Sequence, residues 1–251
     1  MRLQFCSDLH LNSYPTTIGY EFETILEPVA KALVICGDLG DPESDLVSNF
    51  LYWASKRWDS IFWIPGFQEI GDHWHSMESF QARIDYLRSL VKIYPNIYLC
   101  NRERFFTEDG VLLLCCPFWT RIPEDQHKMS IAMINEVHQT DWEWLRNEIY
   151  VNEKPIVIAS YMSPTYQLMD PFWKYKKEQV FFAADTEALL RRPVVSWITG
   201  HLHQSLRLER TWSEPTGEEH RINIISNGRG YQDENPEYRI DAVLRITSHS
   251  L

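Results

Sequence analysis

Asp8 and His10 are the first residues of this chain whose side chains and spacing could do chemistry. They follow a short apolar stretch around Phe5 that we interpret as a buried strand, so a carboxylate and an imidazole two positions apart can point from one strand end to one spot. Such a pair can hold a divalent metal ion. An Asp-x-His alone is more often a turn-capping Asp beside an incidental His, so the interpretation depends on what other strand ends carry.

Two later strand ends carry further candidate ligands. Asp38 follows the apolar run 32–36, in the motif Gly-Asp-Leu-Gly-Asp, and His201 and His203 follow the apolar run 194–199, in the motif Gly-His-Leu-His. The carboxyl ends of strands in an α/β sheet converge on one crevice, so residues far apart in sequence can meet there. Taken together, the three motifs predict a metal site formed by Asp8, His10, Asp38, His201 and His203.

The elements that must position these residues alternate along the chain. We predict strands around Phe5 and at 32–36, 61–64, 97–100, 111–116, 155–159, 194–199, 206–210, 222–226 and 242–246. Helices are predicted at 23–30, 45–58 and 77–93, around Trp144, and before Leu189. This alternation indicates an α/β sheet with helices on its faces, and the absence of repeats or linkers predicts one domain over residues 1–251.

Composition excludes several classes of protein. The chain has 251 residues, of which 44% are hydrophobic and 14% aromatic, so it can bury a substantial core. The net charge of −11 argues against extended nucleic-acid binding, because such binding depends on Lys and Arg. The five cysteines lie in apolar runs without Cys-x-x-Cys spacing and are interpreted as buried thiols. We find no membrane span or leader peptide and expect a cytoplasmic protein.

In the order of its motifs, the chain resembles the calcineurin-like metallophosphoesterases. Asp8-Leu9-His10, Gly37 to Asp41 and Gly200 to His203 match three motifs of the family, and the segment from Asn227 to Tyr231, followed by Glu234-Asn235-Pro236, is similar to a closing segment of single-domain bacterial members. The resemblance implies a four-layer α-β-β-α metallophosphoesterase sandwich. It also implies a two-metal site for phosphoester hydrolysis in which Asp38 bridges the ions.

Two motifs depart from the family pattern. Phe67 and Gln68 stand where the family has Asn and a catalytic His, and Tyr161 stands where it has a ligand His. By resemblance the first ion keeps Asp8, His10, Asp38 and His203, whereas the second keeps only Asp38 and His201. A Phe offers no lone pair and a phenol binds most divalent ions poorly, so we expect one ion rather than two.

The replacement of the family acid by Gln68 leaves the leaving group without a proton donor, because an amide cannot act as an acid near neutral pH. The nearby Gly71-Asp72-His73 has the makeup of the missing motif, and His73 is a possible substitute acid. The alignment at Phe67 is the more natural one, so the alternative that His73 and His75 are polar residues of a loop or helix start is favoured.

Two hypotheses of function follow. The first is a metal-dependent phosphoesterase of weak or altered activity that takes a phosphoester small molecule and uses Mn, Fe, Zn or Ni. The second is a catalytically inactive relative that binds a protein partner, with aromatic stretches such as 171–175 as a candidate surface. Retention of every ligand of the first ion favours the enzyme, and loss of the acid and of second-ion ligands favours the inactive relative.

Overall fold

The computed structural model describes residues 1–13, 21–123, 131–172, 174, 176–184, 186–213 and 219–246. The strands are β1 (Arg2–Cys6), β2 (Ala32–Cys36), β3 (Ser60–Ile64), β4 (Ile97–Leu99), β5 (Glu103–Phe106), β6 (Leu112–Cys116), β7 (Ile156–Ser160), β8 (Val194–Thr199), β9 (Ser205–Ser213), β10 (Glu219–Asn227) and β11 (Val243–Arg245). The helices are α1 (Asp45–Ser55), α2 (Phe67–Ile70), α3 (Met77–Val91) and α4 (Ile131–Val151).

The strands form two sheets. The first has the order β11-β1-β2-β3-β4, in which β1 to β4 are parallel and β11 pairs antiparallel with β1. The second has the order β5-β6-β7-β8-β10-β9, with a parallel centre and antiparallel strands at both edges. Both central regions are buried, as expected for parallel strands with near-continuous apolar sequences.

Helices cover the outer faces of the two sheets. Contacts place α1 and α3 against the first sheet and α4 against the second. Ser44 caps the N-terminus of α1, because its hydroxyl accepts the Val47 N–H at 3.3 Å, and the helix buries Phe50, Leu51 and Ala54. The predicted α/β sandwich of two sheets and flanking helices is therefore confirmed.

Some local predictions were wrong. The helix predicted at 23–30 is only a 3-10 turn at Phe22–Thr24. The Gln4 side chain explains why no helix continues there, because its amide donates to the Glu27 carbonyl at 2.6 Å and accepts the Val29 N–H at 3.1 Å. The helix before Leu189 is likewise a set of 3-10 turns. The strand β5 and the short helix α2, which are only four residues each, were not predicted from the sequence.

The carboxyl ends of the parallel strands meet at one edge of the molecule. Ser7 forms a parallel bridge with Gly228, which joins the end of β1 in the first sheet to the end of β10 in the second. Gly200, after β8, lies so close to the first sheet that a Cβ there would clash with the Cys36 carbonyl oxygen. In the described part of the chain, no helix is long and apolar enough to cross a membrane.

Candidate metal centre

The candidate ligands share a backbone conformation that is rare outside glycine. All five have a positive φ in the left-handed region, which costs about 1–2 kcal/mol per residue for L-amino acids. The angles are 53° at Asp8, 44° at His10, 50° at Asp38, 64° at His201 and 48° at His203. Strain of this kind persists where the surrounding structure over-determines it, and it clusters at functional sites.

Two groups of these side chains have ligand atoms within 4.8 Å of one another, a spacing that could hold a metal ion. One group is Asp8, His10 and His203, and the other is Asp8, Asp38 and His201. In the first group the Nε2 atoms of His10 and His203 lie 2.9 Å apart, and His203 Nε2 lies 3.7 Å from Asp8 Oδ1. The structure thus brings all five candidates to one place.

The electrostatics of the first group suit a divalent cation. Burial, followed by the neighbouring His203, lowers the pKa of His10 to about 4, so the imidazole is neutral and retains a lone pair at neutral pH. Burial and the neighbouring Asp38 raise the pKa of Asp8 well above its usual value. A buried carboxylate beside the neutral His10 imidazole lacks a compensating charge, and a cation would supply it. The donor set therefore fits the metal that the resemblance implies.

The second group differs because Tyr161 lies inside it. The Tyr161 hydroxyl is 2.8 Å from Asp38 Oδ2 and 2.6 Å from His201 Nδ1, and the tyrosine is fully buried. His201 Nε2 lies 3.0 Å from the Phe181 carbonyl oxygen, to which it donates. Both ring nitrogens of His201 therefore have protein partners. The phenol oxygen therefore lies between Asp38 and His201.

Asp38, Tyr161, His201 and the Phe181 carbonyl are joined by a chain of hydrogen-bond contacts, called the closed network below. Burial, followed by His203, lowers the pKa of His201 to about 3, so the ring is neutral and its one N–H is used at Phe181. The lone pair on Nδ1 then accepts the Tyr161 hydroxyl. The same hydroxyl lies 2.8 Å from Asp38 Oδ2, and burial raises the pKa of the Asp38 carboxyl.

Aromatic packing surrounds Tyr161. A Cβ at Gly37 would overlap the tyrosine ring and one at Gly66 would be 2.7 Å from it, so the ring lies directly against two glycine backbones. The Phe67 ring is edge-on to Tyr161 and His201, with centroids 5.7 and 5.4 Å apart. The Phe67 side chain, which replaces the family's Asn, thus places an apolar ring beside His201.

Gln68 lies at the site where the family acid was expected. Its backbone N–H donates to Asp38 Oδ1 at 2.8 Å, and its side-chain amide is 2.6 Å from His10 Nδ1. An amide can present either its oxygen or its nitrogen. With the oxygen towards Nδ1 it accepts the His10 N–H, which leaves Nε2 free for a cation. Gln68 can therefore orient a ligand, although it cannot donate a proton as an acid.

Glu69, the residue after Gln68, connects the loops that follow β2 and β3 through hydrogen bonds. Its buried carboxylate accepts backbone N–H groups of Asp38 at 2.9 Å, Leu39 at 2.8 Å, Gly40 at 3.3 Å and Gly66 at 2.6 Å. Burial, followed by the neighbouring Asp38, raises its pKa to about 8, against the four donors that favour the carboxylate. No role for Glu69 was predicted from the sequence.

His73 lies on a 3-10 turn, His73–His75, that precedes α3. Its Nδ1 is 2.9 Å from the Ser79 hydroxyl, and His75 Nδ1 is 3.1 Å from the Asp72 carbonyl oxygen. Neither histidine is among the described residues that line the cleft at the metal centre. The structure does not bring His73 to the other candidates, and its role as a substitute acid stays a prediction.

A cleft of about 690 Å³ opens onto the site. Its described lining contains three carboxylates, and no Lys or Arg is among the described residues that form it: His10, Asp38, Phe67, Gln68, Met169, Asp170, Phe182, His201, Leu202, His203, Gln204, Tyr231 and Glu234. In the candidate partner surface at 171–175, Phe172 is 62% exposed, whereas Trp173 and Tyr175 lie outside the described residues.

Two cleft residues that were not predicted from the sequence contact the ligands. Glu234 Oε2 is 2.7 Å from His203 Nδ1, and the Tyr231 ring is stacked on His10 with centroids 4.3 Å apart. The only signal in the sequence is the closing segment that resembles other family members. It carries no indication of which residues it contacts.

Comparison with known proteins agrees with this fold. The family model described as calcineurin-like phosphoesterase matches residues 1–205. The chain is 23% identical over 239 residues to Uncharacterized protein L509 of Acanthamoeba polyphaga mimivirus, covering 80% of this chain and 84% of that protein.

Among solved structures, one crystal structure matches with a TM-score of 0.52 at 11% identity and covers 90% of both chains, which supports the fold alone. TT1561 of Thermus thermophilus matches with a TM-score of 0.48 at 10% identity, covering 90% of this chain and 88% of that one. Because the family model spans most of its length, the chain belongs to the calcineurin-like phosphoesterase family.

Proposed function

We propose that this protein holds one divalent cation and hydrolyses phosphoesters slowly. Asp8, His10 and His203 hold the cation, with Asp38 beside them. The observation that carries the proposal is the position of Tyr161, whose hydroxyl lies within 2.8 Å of Asp38 and 2.6 Å of His201, the two ligands that a second ion would retain. Imidazole and carboxylate donors suit Mn, Fe, Zn or Ni.

The chemistry expected of one cation is limited. When bound, a divalent cation acts as a Lewis acid that polarises a phosphoryl oxygen and activates water. The chain's own residues hold and orient it: Gln68 and Glu234 contact the outer nitrogens of His10 and His203. No acid is present at position 68 to protonate the leaving alkoxide, a contribution typically worth about 10²–10⁴-fold. Slow turnover is the consequence.

The cleft also bears on the substrate class. Asp38, Asp170 and Glu234 line it, and no described lining residue is Lys or Arg, so the cation must supply the charge that attracts a phosphate. This arrangement supports a small phosphoester as substrate rather than a long polyanion. The net charge of −11 likewise argues against extended nucleic-acid binding.

A second candidate is a catalytically inactive protein that binds a partner. The closed network of Asp38, Tyr161, His201 and the Phe181 carbonyl favours it, because these groups are satisfied without an ion. Phe172, 62% exposed, and Tyr231, 49% exposed, would then offer aromatic contacts at and near the cleft. One retained ion would have a structural role in such a protein.

Metal analysis combined with turnover separates these functions. Purified protein is loaded with Mn²⁺ and desalted, bound metal is counted, and hydrolysis of bis-p-nitrophenyl phosphate is followed. The matched control is Asp8→Asn, which keeps the side-chain shape and removes the anionic ligand. We expect one ion per chain and slow hydrolysis above the control. One ion with turnover equal to Asp8→Asn supports the inactive protein, whereas two ions with rapid turnover contradict the proposal.

A further inference from the structure

The segment from Asn227 to Glu234 follows β10 and runs beside the first ligand of the metal centre. The Asn227 carbonyl accepts the Ser7 N–H at 3.2 Å, and the N–H groups of Arg229 and Gly230 donate to the Ser7 and Asp8 carbonyls, each at 3.0 Å. The Asn227 side chain fixes the start of the segment by donating to the Phe5 carbonyl at 3.3 Å. This backbone is therefore hydrogen-bonded along the residues that present Asp8.

Glycines let the segment approach the ligands closely. A Cβ at Gly228 would lie 2.7 Å from Asp8 Oδ2, and one at Gly230 would lie 2.7 Å from Glu234 Oε2. Gly230 also has a φ of 72°, a conformation that favours glycine. Any side chain at either position would displace a carboxylate that the site uses.

Glu234 completes the contact with His203. Its Oε2 lies 2.7 Å from His203 Nδ1 and also accepts the Tyr231 N–H at 2.8 Å, so the carboxylate is held from a second side. A hydrogen bond from Nδ1–H to a carboxylate fixes the imidazole tautomer, which leaves the lone pair on Nε2. That Nε2 faces His10 Nε2 at 2.9 Å and Asp8 Oδ1 at 3.7 Å.

Tyr231 makes the third contact. Its ring is stacked on His10 with an interplanar angle of 14° and lies edge-on to His203, with centroids 5.3 Å apart. The segment thus touches Asp8, His10 and His203, the three members of the first ligand group. It lies entirely beyond residues 1–205, the part of the chain that the family model matches.

We propose that Glu234 is a positioning residue for the cation, acting through His203, and that the segment 227–234 is required for cation affinity. The role rests on the proposed function in that it needs a cation at Asp8, His10 and His203. Outer carboxylates of this kind typically change metal affinity by about 10–100-fold when removed.

The test is a calorimetric titration of metal-free protein with Mn²⁺. Glu234→Ala removes the carboxylate, Glu234→Gln keeps the side-chain size without the charge, and Glu237→Ala removes an exposed carboxylate three residues further along. We expect the Kd to rise about 10–100-fold in Glu234→Ala, less in Glu234→Gln, and less than about twofold in Glu237→Ala. Urea unfolding in the presence of chelator should give similar midpoints for all four proteins, because the Glu234 side chain is 44% exposed.

The outcomes separate the two proposals. Wild-type protein that binds Mn²⁺ together with Glu234 variants of unchanged Kd would refute the positioning role and leave the proposed function standing. Wild-type protein that binds no Mn²⁺ would refute both. If Glu234→Ala does not fold, the comparison of Glu234→Gln with wild type decides, and an unchanged Kd there would again refute the role.

Discussion

Replacing Tyr161 by Phe removes one oxygen from the centre of the closed network and tests whether the phenol connects Asp38 to His201. Both contacts are lost, at 2.8 Å to Asp38 Oδ2 and 2.6 Å to His201 Nδ1, while the ring and its packing against Gly37 and Gly66 are kept. A buried polar group left without its partner costs about 1–3 kcal/mol. Two such groups give an expected loss of about 2–6 kcal/mol in the free energy of unfolding of the metal-free protein.

The assay is urea unfolding with chelator present, followed by tryptophan fluorescence and circular dichroism. For a chain of this size, 1 kcal/mol corresponds to about 2–4 °C in Tm, so thermal scans should show a fall of roughly 4–24 °C. Tyr238→Phe is the matched control, because it removes one tyrosine hydroxyl, which donates to the Ile25 carbonyl at 2.8 Å and not to a candidate ligand. We expect it to lose only about 1 kcal/mol.

A Tyr161→Phe variant whose free energy of unfolding is within about 0.5 kcal/mol of wild type would refute the role of the phenol in connecting Asp38 to His201, because losing two buried contacts must lower stability. A loss no greater than that of Tyr238→Phe would have the same meaning. Added Mn²⁺ should recover more stability in Tyr161→Phe than in wild type, because Asp38 and His201 are then free to contact a cation.

Two further predictions concern the second ion and the acid stability. Phe67→Asn combined with Tyr161→His supplies the missing ligands, so metal analysis should show two bound Mn²⁺ ions instead of one. Adding Gln68→His to that variant should raise diester hydrolysis by about 10²–10⁴-fold. A double variant that still binds one ion would contradict the prediction of a restored second ion. Burial lowers the pKa of His138, whose Nδ1 contacts the Trp119 carbonyl oxygen, so the unfolded chain binds more protons and stability falls as pH drops below about 6.5. Urea unfolding between pH 5 and 7 should show a smaller loss of stability with falling pH in His138→Gln than in wild type. Equal losses would contradict the attribution of this pH dependence to His138.

The ligands of the candidate metal centre could be predicted because they follow a local rule. Each stands directly after an apolar strand, and parallel strands bring their carboxyl ends to one edge. The departures at Phe67, Gln68 and Tyr161 were also visible in the motifs. Sequence alone could not show what Tyr161 does, because its role depends on a side-chain orientation and on the Phe181 carbonyl, which comes from an irregular loop.

Other features depend on contacts between distant residues that no local pattern encodes. Glu234 lies 31 residues from His203 and comes from a loop, so its spacing gives no sign of the pair. Glu69 joins separate loops with one carboxylate, a function that its position in a four-residue helix does not indicate. The wrong helix at 23–30 has the same cause, because the buried Gln4 amide takes the backbone groups that a helix would have used.

The most direct test of a single cation is anomalous diffraction from crystals of the wild-type protein grown with saturating Mn²⁺. We predict one anomalous peak per chain, beside Asp8, His10 and His203, with the Tyr161 hydroxyl still between Asp38 and His201. Two peaks about 3.5–4 Å apart, with the phenol displaced from Asp38, would contradict the proposal that Tyr161 takes the place of a second ion.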